Sequence, residues 1–310
     1  MVNKSIEKEC TPNLKIKKDK SKNSRRGEVI FDVVLYFLVS LLCLIMLYPF
    51  VYMVSASFSS REMIEYVILL PKGFNINAYR YVFSYKYTFT GYANTFLYTL
   101  VGTGFSLVLT LLAAYPLSKG WLPGRKIMVF FVLVTMYFSG GLLPEYIINR
   151  NILGLYNNLW VMVLPGALNT YFAMIAISFI HQLPGDLDEA ARIDGAGEWQ
   201  VFLKITLPLL SPIIVTLALF YAVGMWNSWL QGFIYLSDES KYPLQLILKN
   251  LMSSFSIDTG NIGIDVPGGQ VDPTAFSYAM TVAIILPIIF IYPFLQKYFE
   301  KGLLVGSLKG

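Results

Sequence analysis

The amino-acid sequence predicts an all-α fold, that of a polytopic membrane protein with six transmembrane helices. Of its 310 residues, 55% are hydrophobic and only 14% are charged, whereas a soluble domain carries about 25% charged residues. Apart from Asp32 at the start of the first apolar segment, the six segments contain no Asp, Glu, Lys or Arg. Because a charge at the bilayer centre costs several kcal/mol, this partition favours membrane spans.

The six apolar segments follow one another along the chain, and each is near the length of about 20 residues that crosses a bilayer. Helices are expected because lipid leaves only helices and closed barrels as spanning structures. The third segment is the shortest and the fifth is the longest. The predicted spans are 31–57, 92–117, 127–143, 158–180, 206–236 and 274–296.

The distribution of Lys and Arg predicts that both termini are cytoplasmic. In that orientation 17 of the 24 Lys and Arg residues lie inside, and nine of them belong to a basic tail at 1–30. Such a tail is expected to lie at the anionic membrane surface, and no aromatic residue interleaves its charges to stack on nucleic acid. A loop at 58–91 is then exterior, and the C-terminal tail at 301–310 is cytoplasmic.

The second long exterior segment, 237–273, is polar and rich in glycine between residues 260 and 269. These features predict a mobile outer loop. A short amphipathic helix is expected within it at 244–252, where leucines recur at helical spacing.

The loop at 184–206 differs from a plain connection, which needs only a few polar residues. It predicts two short helices separated by a hinge. Asp186 is expected to cap the first helix, with Glu189 three positions later completing a capping box. Gly195 and Gly197 are expected to break that helix and reverse the chain. The first helix has a small, shallow apolar face made of Leu187, Ala190 and Ala191.

This loop carries a motif of fixed spacing. It reads Glu-Ala-Ala from Glu189, then Gly195 after three residues, then Ile-Thr-Leu-Pro from Ile205 to Pro208 after nine more. The pattern resembles that of the permease subunits of ATP-binding-cassette (ABC) importers, where the segment is the coupling helix that sits in a cleft of the ATPase. The resemblance covers roughly residues 31–310 and identifies a transmembrane domain of the type I importer class, with a permease core at 92–300.

The resemblance implies that solute passage and ATP hydrolysis are carried out by different subunits. A second homologous permease, two cytoplasmic ATPases and an external solute-binding protein are the expected partners, together with the lipid bilayer of the bacterial cytoplasmic membrane. ATP and magnesium are expected in the ATPases, since this chain has no phosphate-binding loop and no expected cofactor or metal. The residues expected to contact the ATPase are Glu189, Ala190, Ala191, Asp194, Gly195, Ile205, Leu207 and Pro208, with Gly306, Lys309 and Gly310 of the C-terminal tail.

Further motifs narrow the resemblance to the carbohydrate permeases of maltose type. Asn94-Thr95 opens the second span, and Ala-Ala-Tyr-Pro-Leu-Ser-Lys closes it at 113–119; Pro116 and Lys119 depart from the family's usual Ala and Arg. Gly-Gly-Leu-Leu-Pro-Glu at 140–145 and Ala-Val-Gly-Met-Trp-Asn-Ser-Trp at 222–229 are similar to the branch that imports complex oligosaccharides. The implied function is therefore uptake of an oligosaccharide or another sugar, without catalysis by this chain.

Aromatic and amide side chains within the spans are candidates for a sugar path, because flat rings stack on sugars while amides bind hydroxyls. Membrane anchoring and helix-to-helix hydrogen bonds are the competing interpretations of the same residues. The candidates are Asn94, Asn169, Tyr171, Trp226, Asn227 and Trp229.

Two other function classes compete with the importer. A secondary transporter usually places ionisable residues inside its bundle, and the predicted spans have none at depth. An ABC permease for a solute other than sugar remains open. A membrane-embedded enzyme is disfavoured because the single histidine, His181, has no partner in the sequence for a zinc or nucleophile site.

Overall fold

The computed structural model describes residues 22–258, 264–266 and 269–307. The chain divides into two compact units, residues 1–52 and residues 53–310. The first unit contains most of helix α1 (Lys22–Ser57), which begins within the predicted basic tail. Every side chain from 28 to 51 is exposed. An apolar helix without a buried side is expected where the surrounding solvent is lipid.

The second unit contains the last turn of α1 and all the remaining helices. The first group comprises α2 (Asn77–Ser84), α3 (Thr88–Ser118), α4 (Arg125–Tyr137), α5 (Leu142–Ile147), α6 (Leu159–Val163) and α7 (Thr170–Ile180). The second group comprises α8 (Gly185–Ile193), α9 (Glu198–Val201), α10 (Leu207–Leu209), α11 (Ser211–Trp226), α12 (Trp229–Tyr235), α13 (Leu244–Asp258) and α14 (Pro273–Ser307). Short 3₁₀ turns occur at Arg61–Tyr66 and Glu239–Lys241, and π-helical turns occur at Ile148–Ile152 and Phe202–Thr206.

Helix α3 lies at the centre of this unit and packs against α7 and α11. Small residues allow the close approach, as is usual between membrane helices: a Cβ added at Gly102 would lie 2.7 Å from the Met225 sulfur. The hydroxyls of Thr110 and Tyr221 share a hydrogen bond of 2.7 Å across the same interface. The backbone N–H of Asn169 donates to that Tyr221 oxygen at 3.1 Å, so one buried tyrosine joins α3, α11 and the start of α7.

Among the described residues, three helices are long and apolar enough to cross a membrane unaided, namely Glu28–Ser57, Thr88–Ser118 and Pro273–Ile291. They coincide with the first, second and sixth predicted spans. Two bent pairs raise the number to five if each pair forms one span. The fold is thus the predicted all-α membrane fold, but the remaining spans are not continuous helices.

The third and fourth predicted spans are interrupted by glycine and proline. Helix α4 ends at Tyr137, and the chain turns by 110° into the following helix, with Gly141 at φ +82°. The predicted span 158–180 consists of α6 and α7, which are separated at Pro165 and Gly166. Proline removes a backbone donor and glycine adopts conformations closed to other residues, so both end helices. The prediction of single helices here was wrong.

The fifth predicted span, 206–236, is also divided. The axis turns by 78° at Leu210, between Pro208 and Pro212, and α11 ends at Trp226 before α12 begins. The predicted mobile loop that follows contains α13, which is longer than expected, and a short hairpin of β1 (Ile264–Val266) and β2 (Gly269–Val271). The amphipathic helix predicted at 244–252 is thus present, but it extends to Asp258, and its buried residues include Leu244, Leu246, Ile247 and Leu248.

Candidate coupling site

Helix α8 is the first part of the segment that carries the Glu-Ala-Ala motif. It begins at Gly185, one residue after Pro184, which occupies the N-cap position without a side-chain hydrogen bond. Asp186 therefore lies inside the first turn and does not cap the helix, and the predicted capping box with Glu189 is wrong. Asp186 and Asp188 still complement the partial positive charge of the helix N-terminus.

The turn after α8 confirms the predicted role of Gly195. Its φ is +81°, the left-handed region that glycine adopts without steric cost. The N–H of Gly195 donates to the Arg192 carbonyl at 3.0 Å, and the N–H of Ala196 donates to the Ala191 carbonyl at 2.9 Å. These two bonds form a Schellman motif after the C-cap Asp194. Gly197 has φ −73° and starts α9 without needing glycine's freedom.

The outward face of α8 is available to a partner. No residue of this helix is buried, and Ile193 is 86% exposed. Glu189 and Ala190 are exposed, while Ala191 is half-buried. Among the described side chains, Glu189 has neither an ion pair nor a hydrogen bond. An exposed carboxylate beside an exposed apolar side chain is what a helix docking onto another protein presents.

The inward face of α8 is attached to α3 by charged contacts. Lys119, just after α3, forms an ion pair with Asp188 and lies 4.8 Å from the Tyr115 ring centroid. Arg192, one turn after Asp188, pairs with Glu198 of α9 at 2.7 Å. The Tyr115 hydroxyl donates to the same Glu198 carboxylate at 3.0 Å. We call these five residues the polar clamp.

Sequence reasoning missed the polar clamp. Tyr115 and Lys119 were considered only as part of a family motif, and Asp188 was not singled out. The partners are separated by 69 and 83 positions in the chain. No local pattern pairs such distant residues, and a basic residue immediately after a span was the only available signal.

Helix α9 and the π-helical turn after it join the clamp to the membrane helices. Phe202 is buried, and its ring centroid lies 4.8 Å from that of Tyr115. Of the motif's last residues, Ile205 and Leu207 are half-buried and Pro208 is exposed. The chain bends two residues after Pro208 and continues as α11. A displacement of α8 and α9 would therefore reach α3 and α11 through side-chain contacts and through the chain itself.

A second set of contacts on this side of the bundle, which we call the Arg125 anchor, lies at the start of α4. The Arg125 Nε donates to the Leu117 carbonyl at 2.6 Å, and its Nη2 donates to His181 Nε2 at 2.9 Å. His181 must then be neutral, with its proton on Nδ1. Burial, followed by the charges of Arg125 and Lys119, lowers the His181 pKa below its ordinary value of 6.5.

Acidification is expected to destabilise this anchor. The unfolded chain binds a proton at His181 near pH 6.5, whereas the folded chain resists it, so stability falls as the pH drops from 6.5 towards the lower folded pKa. The effect is small because the group is exposed. Thermal unfolding in detergent between pH 7.5 and pH 5 should show it, and His181→Gln should reduce the slope. An unchanged slope would contradict the proposed contact, since His181 is the chain's single histidine.

Two of the six candidate path residues make structural hydrogen bonds, and a third is largely exposed. Asn94 donates to the carbonyls of Ser240 and Tyr242 at 2.8 and 3.1 Å and so fastens α3 to the segment before α13. Asn169 caps α7, with its side-chain oxygen accepting from the Phe172 N–H at 3.2 Å. Tyr171 is 54% exposed, and its ring lies beside that of Phe172. The Asn94 contacts match the competing interpretation of hydrogen bonding between helical segments, whereas the Asn169 contact is a cap within α7.

The other three candidates lie together at the break between α11 and α12. Trp226 is buried against Phe96, and its indole N–H has no hydrogen-bond partner among the described residues. Asn227 is exposed and accepts a hydrogen bond of 2.8 Å from the Gln245 amide. The Lys249 ammonium lies 3.2 Å from the Trp229 ring centroid. Gln245 and Lys249 were not among the candidates, because they belong to the helix predicted within the outer loop and not to a predicted span.

The predicted contacts of the C-terminal tail with the ATPase stay a prediction. Gly306 falls in the last turn of α14, and Lys309 and Gly310 lie outside the described residues. The same holds for residues 1–21 of the basic tail.

Fold and site together define a multi-pass helical membrane protein with a short exposed helix, α8, joined to its bundle. Residues 106–305 match the family model described as "Binding-protein-dependent transport system inner membrane component". The chain belongs to this family of ABC importer permeases. The match separates it from the secondary transporters and membrane enzymes considered as alternatives.

Similar proteins include two from Bacillus subtilis strain 168. The polygalacturonan/rhamnogalacturonan transport system permease protein YtcP is 36% identical over 283 residues, covering 91% of this chain and 99% of YtcP. Protein LplC is 38% identical over 293 residues, covering 93% of this chain and 97% of LplC. The fold also matches a chain from the crystal structure of a bacterial ABC transporter involved in the import of the acidic polysaccharide alginate. The two chains superpose with a TM-score of 0.78 at 31% identity, covering 88% of this chain and 98% of that chain.

Proposed function

We propose that this chain is one of two permease subunits of an ATP-driven importer that takes up an oligosaccharide. The observation that carries the proposal is the exposed α8, with the unpaired Glu189 and the Gly195 turn, in a member of the permease family. YtcP and the alginate importer, both more than 30% identical, are described as acting on polysaccharides. An oligosaccharide is therefore the substrate class best supported, and a solute other than sugar is the alternative.

The proposed assembly contains a sister permease, two cytoplasmic ATPases and an external solute-binding protein. In it α8 lies in a cleft of one ATPase, with Glu189 beside a basic residue and Ile193 in an apolar contact. ATP and magnesium belong to the ATPases, and this chain transmits their closure to the bundle through the polar clamp. Both termini and α8 lie on the cytoplasmic side of a bacterial inner membrane, as the distribution of Lys and Arg indicates.

The test is reconstitution of the transporter from its separate subunits. The purified chain alone should hydrolyse no ATP and should co-purify with the ATPase when the two are co-expressed. Proteoliposomes with both permeases, the ATPase and the binding protein should accumulate a labelled oligosaccharide when ATP is supplied, and ADP serves as the control. ATP hydrolysis by the isolated chain, or uptake that persists with ADP, would contradict the proposal.

A further inference from the structure

A cation and aromatic rings meet at the end of α11 that is opposite the coupling site. Helix α13 runs beside α12, and Gln245 bonds to Asn227 at the helix break. One turn further along α13, the Lys249 ammonium lies 3.2 Å from the Trp229 ring centroid and 5.9 Å from that of Phe233. We call these five residues the lysine–aromatic cluster.

The charge of Lys249 is not neutralised within the described chain. Its only described partners are aromatic rings, and the described ion pairs, Lys119–Asp188 and Arg192–Glu198, belong to the coupling site. Lys249 is exposed, and so is Phe233 at 62%. A cation–π contact is weaker than a charge-assisted hydrogen bond to a carboxylate. An arriving carboxylate would therefore draw the ammonium away from the indole ring.

Helix α13, which carries Gln245 and Lys249, is packed against the rest of the bundle. The opposite face of α13 is buried through Leu244, Ile247 and Leu248. The backbone N–H of Leu244 also donates to the Thr95 hydroxyl on α3 at 2.9 Å. Lys249 is thus presented by a packed helix and not by a loose loop, which favours a defined binding geometry.

We propose that the lysine–aromatic cluster binds a carboxylated sugar, so that Lys249 selects acidic over neutral oligosaccharides. The ammonium pairs with the sugar carboxylate, the exposed Phe233 ring packs on the C–H face of the sugar, and the amides of Asn227 and Gln245 bind its hydroxyls. This inference rests on the proposed function and adds the chemical class of the substrate. The competing role of these contacts is simply to hold α12 against α13.

The experiment uses the complete transporter in proteoliposomes, with the binding protein at saturating concentration. Initial uptake and substrate-stimulated ATPase activity are measured with a galacturonate trisaccharide and with its methyl ester, which has the same size and no charge. Lys249→Gln is expected to raise the KM for the acid about tenfold or more, because that is the loss of affinity expected when a hydrogen bond to a charged group is removed. The KM for the ester should not change, and Lys249→Arg should retain most of the preference for the acid.

Lys86→Gln is the matched control, because the exposed Lys86 also lies over an aromatic ring, that of Tyr87, at 4.8 Å. It should leave both substrates unaffected. A Lys249→Gln variant with an unchanged KM for the acid, or with equal losses for acid and ester, would overturn the inference and leave sugar import standing. If the wild-type transporter imported the ester but not the acid, the inference would likewise be overturned and sugar import would still stand. Transport of neither sugar would count against the proposed function and against this inference together.

Discussion

Replacing Gly195 by valine is expected to abolish ATP-driven import while leaving membrane insertion and bundle stability intact. Gly195 closes the Schellman motif at φ +81°, and a β-branched residue held in that region costs about 1–2 kcal/mol. No atom lies within 4 Å of a Cβ built at this position, so the cost is one of backbone conformation and not of collision. The turn would relax and reorient α8 relative to α9. Uptake and stimulated ATPase activity in proteoliposomes are the measurements.

The chain offers a matched control two residues away. Gly197 has φ −73°, and a Cβ there also meets no atom within 4 Å, so Gly197→Ala should transport normally. Gly195→Asn should keep part of the activity, since asparagine tolerates the left-handed region better than valine. A Gly195→Val transporter that imports at the wild-type rate would show that this segment only connects α7 to α11.

Reversing the charge of Lys119 is expected to uncouple ATP hydrolysis from transport. Its side chain is 12% exposed and that of Asp188 is 25% exposed, so the pair is partly buried. Loss of one partner leaves a desolvated charge and costs on the order of 1–3 kcal/mol after allowance for screening by solvent. Lys119→Glu adds repulsion from Asp188 and from nearby Glu198. Helix α8 should then detach from α3, and import should fall by about tenfold or more.

The charge swap tests this pairing directly. Lys119→Glu combined with Asp188→Lys should regain a large part of the import rate, because the double change restores opposite charges. Lys126→Glu is the control, since Lys126 is exposed near the same helix end and has no ion pair among the described side chains. Failure of the double variant to exceed the single ones would mean that the contact does not transmit movement.

The coupling segment shows what local sequence could predict and where it failed. The reversal at Gly195 was correct, because a glycine between two short amphipathic stretches is a local signal. The capping box at Asp186 and Glu189 was wrong, since α8 starts at Gly185 directly after Pro184. The spacing of a cap is compatible with several helix starts, and the structure begins the helix two residues earlier than the cap requires.

The predicted membrane spans were also only partly correct. Length and apolarity identified α1, α3 and α14, because a continuous apolar run needs only lipid around it. The breaks at Gly141, Pro165 and Leu210 were not predicted. Glycine and proline permit a break in a membrane helix, but neighbouring helices that satisfy the freed backbone groups decide whether it forms.

The sequence by itself determined the class of protein, the position of the docking segment and the residue at its turn. Each depends on composition, on apolar length or on fixed spacing within a few turns of helix. Only the tertiary structure decided that Lys119 holds Asp188, that Tyr115 holds Glu198 and that Lys249 lies over Trp229. Those pairs join residues that are far apart in the chain, and their contacts exist only because α3, α11 and α13 pack as they do.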